Sequence, residues 1–232
     1  MSRFSGVQLA HRFFSGTGTT YEQIVRLCTF GFDLWWKRKI LQKIPPKPRR
    51  IMDQACGTGI LTFKIAQRFP RCHVTGVELR EEYLDIARQK ATARGLRNVE
   101  FFLGRAEDVL LDETFDAITS SYLAKYAELD VLVRNANNML RPGGVLIMHD
   151  FIYPSGRLFP KLWHFYFKIL QTLGTRRYPE WQTAFEELPD ALRKTDWLAQ
   201  LTAALEENAF SQIRTEKLTL ATSAIVTAVR SS

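Results

Sequence analysis

The 232-residue sequence is poor in the residues that build metal centres and disulfide frameworks. It has three cysteines, Cys28, Cys56 and Cys72, and they form no CxxC pair. Its four histidines are scattered and form neither an HxxxH nor an HExxH motif. An odd number of cysteines without such a pair is typical of a reducing compartment. We therefore expect neither a metal site nor a disulfide.

Long hydrophobic runs are also missing. A membrane-spanning helix needs roughly 18 consecutive apolar residues, and no segment approaches that length. The first sixteen residues lack the continuous apolar segment of a secretory signal. A chain of this length can bury one full core. We expect one α/β domain located in the cytoplasm.

The chain has fewer acidic than basic side chains. The chain has 32 lysines and arginines against 24 aspartates and glutamates, which gives a net charge of +8, and basic residues concentrate in residues 37–50. Such an excess of positive charge can serve solubility alone, binding of nucleic acid, or contact with an anionic membrane surface.

Three parts follow one another along the chain. Residues 1–48 form an expected helical cap that ends at a proline-rich segment, because proline cannot continue a helix. Residues 49–150 alternate strand-like and helix-like patterns, and the remainder contains an aromatic insertion at about 152–190 and two final strands. The expected strands are residues 50–53, 73–79, 99–103, 115–120, 145–148, 212–218 and 221–229, and the expected helices between them are 60–69, 81–94 and 129–140, the last one stopped by residues 141–144. This order predicts a seven-stranded, mostly parallel, Rossmann-like sheet with an antiparallel C-terminal strand and helices on both faces.

The first strand leads into a glycine loop, residues 53–59 (DQACGTG), which opens a helix. Gly57 and Gly59 allow a tight turn and a close approach of the backbone to a ligand. The N-terminus of the helix also presents free N–H groups. Such a loop holds either a pyrophosphate or the amino-acid half of S-adenosylmethionine (SAM), although it can also be a plain helix-start turn.

Acidic residues near the loop favour SAM. Glu78 ends the next strand, where a carboxylate can accept both hydroxyls of a ribose, although it can also simply begin a helix. A dinucleotide-binding fingerprint would have a third glycine where this chain has Thr62. Asp53 stands where an acid can hold the ammonium group of SAM through water or orient the loop. We therefore favour SAM over NAD.

An ordered set of motifs carries a resemblance to a known family. The set is residues 53–59 (DQACGTG), 76–78 (GVE), 104–108 (GRAED), 115–121 (FDAITSS) and 140–144 (LRPGG). It resembles the motif series of class I SAM-dependent methyltransferases over about residues 50–150. The Ala-x-Gly-Thr-Gly form of the loop and residues 30–38 (FGFDLWWKR) resemble the ubiquinone/menaquinone biosynthesis C-methyltransferases more closely.

The resemblance implies SAM as the cofactor and places its contacts on this chain. It puts Thr58 in the loop, Glu78 at the ribose, Arg105 and Ala106 beside the adenine, and Ser121 after the fourth strand. Glu107 could meet the adenine amino group, or it could lie in an exposed turn. The complete expected cofactor set is Asp53, Ala55, Gly57, Thr58, Gly59, Glu78, Arg105, Ala106, Glu107 and Ser121.

One segment departs from the resembled family. That family carries an Arg-Asn pair just after the fourth strand, in a segment implicated in catalysis. Here residues 121–126 read SYLAKY, so the pair is absent and Lys125 and Tyr126 stand nearby. This departure puts a shared acceptor and a shared mechanism in question.

Catalysis on a quinol ring calls for a base near the carboxyl ends of the strands. Deprotonation of a phenol enriches the adjacent ring carbon that accepts the methyl group. His149 follows the fifth strand and titrates in a suitable range, although it can also be a packed histidine. Lys125, Tyr122 and Tyr153 could bind or orient the phenol. The expected catalytic residues are His149, Lys125 and Tyr122.

An aromatic segment, residues 158–173, has helical spacing of its apolar positions. This segment is expected to be a core helix, a lid over a lipophilic acceptor, or a helix that lies on a membrane interface. Tyr21, Trp35 and Trp36 could close the pocket from the N-terminal side. The positions that share one face are Leu158, Leu162, Phe165, Ile169 and Leu173.

Together these features predict a SAM-dependent methyltransferase for a small lipophilic acceptor, with a demethylmenaquinol- or ubiquinol-type ring as the first choice and with a peripheral membrane contact as an option. A polyketide- or sterol-like acceptor is the first alternative. RNA methylation is disfavoured, because the chain has no Asn-Pro-Pro-Tyr or Asp-Pro-Pro-Tyr segment. A non-catalytic SAM-binding module is disfavoured by the intact loop and Glu78. The sequence does not indicate an oligomeric state.

Overall fold

Seven strands form one sheet in the computed structural model, which describes residues 6–154 and 156–231. Residues 1–5 of the expected cap, residue 155 of the aromatic insertion and residue 232 lie outside the described residues. The strands are β1 (Arg50–Gln54), β2 (His73–Glu78), β3 (Val99–Leu103), β4 (Phe115–Ser121), β5 (Leu140–Phe151), β6 (Phe210–Leu218) and β7 (Ser223–Arg230).

The sheet has the order β3-β2-β1-β4-β5-β7-β6. The first five strands run parallel, whereas β7 pairs antiparallel with both β5 and β6. Each parallel connection crosses over through a helix or a long segment, as the alternating pattern of the sequence predicted. The seven-stranded, mostly parallel Rossmann-like sheet is confirmed.

Helices cover both faces of this sheet. They are α1 (Gly6–Phe14), α2 (Tyr21–Cys28), α3 (Phe32–Lys43), α4 (Ile60–Arg68), α5 (Glu81–Ala93), α6 (Leu129–Met139), α7 (Phe159–Ile169), α8 (Thr175–Arg177), α9 (Gln182–Lys194) and α10 (Trp197–Glu207), with a π-helical turn at Leu170–Gly174 and a 3-10 turn at Pro179–Trp181. Successive residues of β1 point to opposite faces. Ile51 packs with α3 and α4, and Met52 packs with α6 and α10.

Two local expectations were wrong. Residues 141–144 were expected to separate helix from strand, but they lie within β5. The pairing with β4 jumps there from Phe115↔Leu140 to Ala117↔Val145, because the strand bulges at this point and exposes residues 141–143 to solvent. The final strand was expected from residue 221, but residues 219–221 form a left-handed turn with φ of 46°, 54° and 60°, and β7 begins at Ser223.

The expected cap divides between two hydrophobic clusters. Helix α3 packs on the sheet through Trp36 and Ile40. Helices α1 and α2 instead join the aromatic insertion in a separate cluster that includes Phe13, Trp181 and Phe185. This second cluster includes Tyr126, which follows β4, so it reaches the carboxyl edge of the sheet, where open α/β sheets bind ligands. Within the described ranges, no helix is both long and apolar enough to cross a membrane.

Candidate active site

Two adjoining cavities lie at the carboxyl ends of the parallel strands. The first, here called the loop cavity, has a volume of about 90 Å³ and is bounded by the glycine loop, Glu78 and residues 104–107. The second, the apolar cavity, has a volume of about 290 Å³ and is bounded mainly by aromatic side chains of the cap and the insertion.

The glycine loop adopts a conformation that needs its glycines. Gly57 and Gly59 have φ of 59° and 88°, in the left-handed region that L side chains rarely adopt. A side chain at Gly59 would also collide with the ring of Phe63. Gly57 lines the loop cavity, whereas Gly59 stands at the start of α4 and does not line it. Gly59 therefore shapes the loop rather than the cavity surface.

Glu78 is held in place by backbone donors. Its carboxylate accepts hydrogen bonds from the Gly57 N–H and the Arg80 N–H, both at 3.0 Å. The residue is 8% exposed, and burial raises the pKa of its carboxyl group, while these hydrogen bonds oppose the rise. Each oxygen keeps a further lone pair. A buried carboxylate with free acceptor capacity fits a ribose with two hydroxyls.

Residues 104–107 form the other end of the loop cavity. Arg105, Ala106 and Glu107 all line it. The Glu107 carboxylate is buried and accepts a hydrogen bond from the Glu128 N–H at 3.1 Å, so Glu107 does not lie in an exposed turn. Asp108, by contrast, is exposed.

Asp53 lies next to the loop cavity rather than in its wall. It borders a small void of about 20 Å³ together with Ala55, Lys37, Ser121 and Tyr122. The Thr62 and Thr119 hydroxyls donate hydrogen bonds to its carboxylate at 2.6 and 2.9 Å. Burial nevertheless raises the pKa of Asp53 from 3.8 to about 6.

Thr58 does not line either cavity. Its buried hydroxyl donates a hydrogen bond to Glu22 of α2 at 2.8 Å. Thr58 therefore connects the cap to the loop.

Seven of the ten expected cofactor residues line the loop cavity, namely Ala55, Gly57, Glu78, Arg105, Ala106, Glu107 and Ser121.

The sequence did not reveal how the cap closes over the loop cavity. Val7, Ala10 and Phe14 of α1 and Tyr21 of α2 complete its wall. The segment between these helices is tied down by Glu82, whose carboxylate accepts hydrogen bonds from the backbone N–H groups of residues 16 and 18 at 3.2 and 2.8 Å. These contacts join distant parts of the chain and leave no local signal in the sequence.

The apolar cavity has almost no charge in its wall. Lys125 is its one charged lining side chain among the residues that the structure describes. Tyr21 and Trp36 line the cavity, as expected, whereas Trp35 is 41% exposed and lies outside the lining. Such a cavity suits a largely apolar ligand.

Four aromatic side chains line both cavities: Phe14, Tyr21, Tyr122 and Tyr126. A ligand in one cavity therefore lies against the same side chains as a ligand in the other. This shared wall is the junction at which two bound molecules would meet.

Tyr122 is fixed at the junction from several sides. Its φ of 73° is unusual for a residue with a side chain, and its ring stacks on Phe151 with the centroids 4.8 Å apart. Its hydroxyl donates a hydrogen bond to Asp33 at 2.6 Å, and Asp33 forms a buried ion pair with Lys37. The sequence analysis missed this pair, although its i,i+4 spacing on one helix was a usable signal.

Lys125 is an almost fully buried cation. Its ammonium lies 2.7 Å from the Asp150 carboxylate and 2.9 Å from the Tyr122 carbonyl oxygen. Burial lowers the pKa of Lys125, while the negative charge of Asp150 opposes that change. Of the expected catalytic residues, Lys125 thus lines the apolar cavity, and Tyr122 lines both cavities.

His149 is not brought to either cavity. Its side chain is fully buried, with Nδ1 2.9 Å from the Ser121 hydroxyl and Nε2 2.7 Å from the Ser223 hydroxyl. Burial, with the positive charges of Lys37 and Lys125, holds the pKa of the imidazole well below its usual value. Both nitrogens are engaged, so this arrangement gives the expected general base no access to an acceptor. It corresponds to the alternative of a packed histidine.

The sequence matches a family model described as the ubiE/COQ5 methyltransferase family over residues 4–230. A demethylmenaquinone methyltransferase of Thermus thermophilus is 33% identical over 218 residues, which cover 91% of this chain and 97% of the relative. A ubiquinone/menaquinone biosynthesis C-methyltransferase of Geotalea daltonii is 29% identical over 213 residues, with 89% and 90% covered.

Solved structures confirm the fold. Phosphoethanolamine N-methyltransferase 2 of Haemonchus contortus, in complex with S-adenosyl-L-methionine, aligns over 85% of this chain with a TM-score of 0.64 and 16% identity, and this chain spans 52% of its length. The N-methyltransferase NodS of Bradyrhizobium japonicum aligns over 87% of this chain and 97% of its own with a TM-score of 0.56 and 16% identity. The chain belongs to the ubiE/COQ5 methyltransferase family and is a SAM-dependent methyltransferase.

Proposed function

We propose that this enzyme methylates a ring carbon of a lipophilic quinol of the demethylmenaquinol or ubiquinol type. The observation that carries the proposal is the apolar cavity, which shares a wall of four aromatic side chains with the loop cavity. The names of the relatives from Thermus thermophilus and Geotalea daltonii support the same acceptor class.

The residues around the loop cavity fit SAM. Glu78 offers free lone pairs for the ribose hydroxyls, and Ala106 and Glu107 provide a surface for the adenine. The Gly57 backbone in the loop cavity, and Asp53 beside its small void, could bind the amino-acid half of SAM. When bound, SAM supplies a methyl group on a positively charged sulfur.

Transfer to a ring carbon forms one carbon–carbon bond and breaks the carbon–sulfur bond, whose electron pair remains on sulfur. The ring carbon would then release its hydrogen as a proton, and the adjacent ring oxygen would take up a proton, which restores the aromatic phenol. A phenolate oxygen beside that carbon increases its electron density. The Lys125 ammonium, in the wall of the apolar cavity, stabilises such a phenolate, and Tyr122 orients the ring at the junction.

His149 has a positioning role in this proposal. The imidazole ring lies 5.2 Å, centroid to centroid, from the rings of both Trp36 and Tyr122. Both of these aromatic side chains line the apolar cavity. His149 therefore supports the cavity wall from behind and keeps Ser121 at the edge of the loop cavity.

We further propose that residues 1–48 and the insertion at 152–190 act together as an acceptor-binding cap on a methyltransferase domain of residues 49–232. Helix α7 has two different apolar faces. One face, with Phe159, Trp163 and Phe167, lines the apolar cavity. The stripe predicted from the sequence lies on the other face, with its members between 39% and 64% exposed: Leu158, Leu162, Phe165, Ile169 and Leu173.

This exposed stripe supports a peripheral membrane contact. Phe30 and Leu220 line the cavity and are also 74% and 71% exposed, so the mouth of the cavity is itself apolar. Residues 151–178 contain five lysines and arginines and no acidic residue. An apolar face with a basic surround suits an anionic lipid surface, from which a quinol tail could enter the cavity.

The test is an assay of the purified protein with SAM and a demethylated quinone kept reduced by dithionite. We expect a product whose mass reflects the replacement of one hydrogen by a methyl group, located on the ring carbon by fragmentation. The matched control is the quinol that already carries this methyl group, which should gain no mass. The proposal is wrong if the demethylated quinol stays unchanged while calorimetry shows that SAM binds.

A further inference from the structure

The hydroxyl of Tyr126 is a buried polar group without an evident partner. Tyr126 is 8% exposed, and its ring lines both the loop cavity and the apolar cavity. Its hydroxyl oxygen is closed to solvent and has no hydrogen-bond partner in the described part of the chain. Most buried hydroxyls have a partner, and a missing one costs about 1–3 kcal/mol. An unpaired hydroxyl beside two cavities indicates a partner that arrives with a ligand; because the oxygen is closed to solvent, such a ligand must displace the side chains that cover it.

The ring of Tyr126 is held firmly. Phe13 and Phe14 of α1 contact it edge-on, with centroid distances of 6.1 and 6.0 Å. The Lys125 ammonium lies 4.5 Å from the ring centroid, and the Tyr126 N–H donates a hydrogen bond to the Leu123 carbonyl at 2.9 Å. The hydroxyl therefore occupies one place without the help of a hydrogen bond of its own.

The hydroxyl is suited to donate a hydrogen bond. Burial raises the pKa of Tyr126 well above its usual value, and the negative charge of Asp150 adds to the rise. The group thus stays protonated at neutral pH. The neighbouring Tyr122 hydroxyl already donates to Asp33, so it is engaged, whereas the Tyr126 hydroxyl is not.

We infer that Tyr126 donates a hydrogen bond to the ring oxygen of the quinol, next to the carbon that receives the methyl group. This inference rests on the proposed function and adds to it a residue that determines specificity. The apolar cavity offers an acceptor oxygen few polar partners, and Lys125 and Tyr126 are adjacent in its wall. A donor and a cation together favour a ring that carries an oxygen beside the reacting carbon.

The substitution Tyr126→Phe tests the inference, because it removes only the hydroxyl. In the ligand-free protein an unpaired polar group disappears, so we expect the melting temperature to stay equal or rise. SAM affinity, measured by calorimetry, should be unchanged. For the quinol, kcat/KM should fall about tenfold, which corresponds to the loss of one hydrogen bond. The methylated quinol, bound as a product, should also lose its stabilising effect on the melting temperature.

The matched control is Tyr153→Phe. The Tyr153 hydroxyl has a partner, His164 Nε2 at 2.9 Å, and Tyr153 lines neither cavity. This control should lower the melting temperature and keep the kinetics of the wild type.

Two results would overturn the inference. The first is a Tyr126→Phe protein with a lowered melting temperature and wild-type kcat/KM, which would show a structural partner such as a buried water. The second is a loss of SAM affinity with an unchanged KM for the quinol. Failure of the proposed function is a separate result, because the wild-type enzyme itself would then not methylate the quinol.

Discussion

His149 Nε2 lies 2.7 Å from the hydroxyl oxygen of Ser223, although 74 residues separate the two along the chain. The other nitrogen pairs with Ser121, so one buried imidazole joins the ends of β4 and β5 to the start of β7. A neutral imidazole donates from one nitrogen and accepts at the other, which both serine hydroxyls can match. The pair therefore ties the edge of the site to the antiparallel end of the sheet.

The substitution His149→Ala should mainly reduce stability. It leaves two serine hydroxyls without a partner and opens a cavity in the core, so we expect the free energy of unfolding to fall by about 2–4 kcal/mol in urea titrations. The matched control is His73→Ala, because the His73 side chain is 41% exposed and pairs with Glu100 at the surface. Full stability combined with a hundredfold loss of turnover in His149→Ala would restore the general-base hypothesis.

The substitution Glu78→Ala should weaken SAM binding by about 1–3 kcal/mol in isothermal titration calorimetry, since ribose hydroxyls would lose their buried acceptor. Glu81→Ala is the matched control, because this glutamate is exposed at the start of α5 and pairs with Arg88. Equal SAM affinities in the two variants would remove Glu78 from the cofactor site.

The architecture was largely readable from the sequence, because it depends on local patterns. The spacing of apolar residues predicted both ends of β3 and the ends of most other elements to within about two residues. The glycine loop and the place of Glu78 at the end of β2 were also predicted, since both follow from short local motifs. The long left-handed turn at residues 219–221 was missed, because none of its residues is a glycine.

The wall of the active site was less predictable, because it depends on contacts between distant residues. The sequence around Thr58 does not indicate that its hydroxyl donates a hydrogen bond to Glu22. The sequence around His149 likewise does not indicate a hydrogen bond with Ser223. For α7, the spacing predicted an apolar stripe but not that the opposite face would line the cavity. A periodic pattern shows which residues share a face, and tertiary packing decides which face is buried.

Asp53 should make stability depend on pH. Its pKa is about 6 in the folded protein against the ordinary 3.8, so the folded state holds a proton that the unfolded state has released. Stability should therefore fall as pH rises from about 4 to about 6 and then level off, by an amount on the order of 3 kcal/mol.

The substitution Asp53→Asn removes this titration and keeps a group that can pair with the Thr62 and Thr119 hydroxyls. Between pH 4.5 and pH 7, we expect the unfolding free energy of the wild type to fall more than that of the variant. The variant is therefore more stable relative to wild type at pH 7 than at pH 4.5. Urea titrations at both pH values measure it. Parallel pH curves for the two proteins would contradict the raised pKa.

The exposed stripe of α7 should bind the enzyme to anionic membranes. Burial of one leucine or phenylalanine side chain stabilises a complex by roughly 1.5–3 kcal/mol, so Leu162→Ser with Phe165→Ser should reduce co-sedimentation with phosphatidylglycerol vesicles at least tenfold. Leu110→Ser is the matched control, since Leu110 is 56% exposed against 53% for Leu162 but lies between β3 and β4.

Because the surround of α7 is basic, salt should weaken the binding of the wild type, and neutral phosphatidylcholine vesicles should bind less of it. The kinetic consequence is specific: the double variant should raise KM for a long-tailed quinol presented in vesicles but not for a tail-less analogue in solution. Lipid binding of the double variant equal to that of wild type would assign the stripe another role. A KM increase for the tail-less analogue as well would show that the substitutions disturbed the cavity side of the same helix.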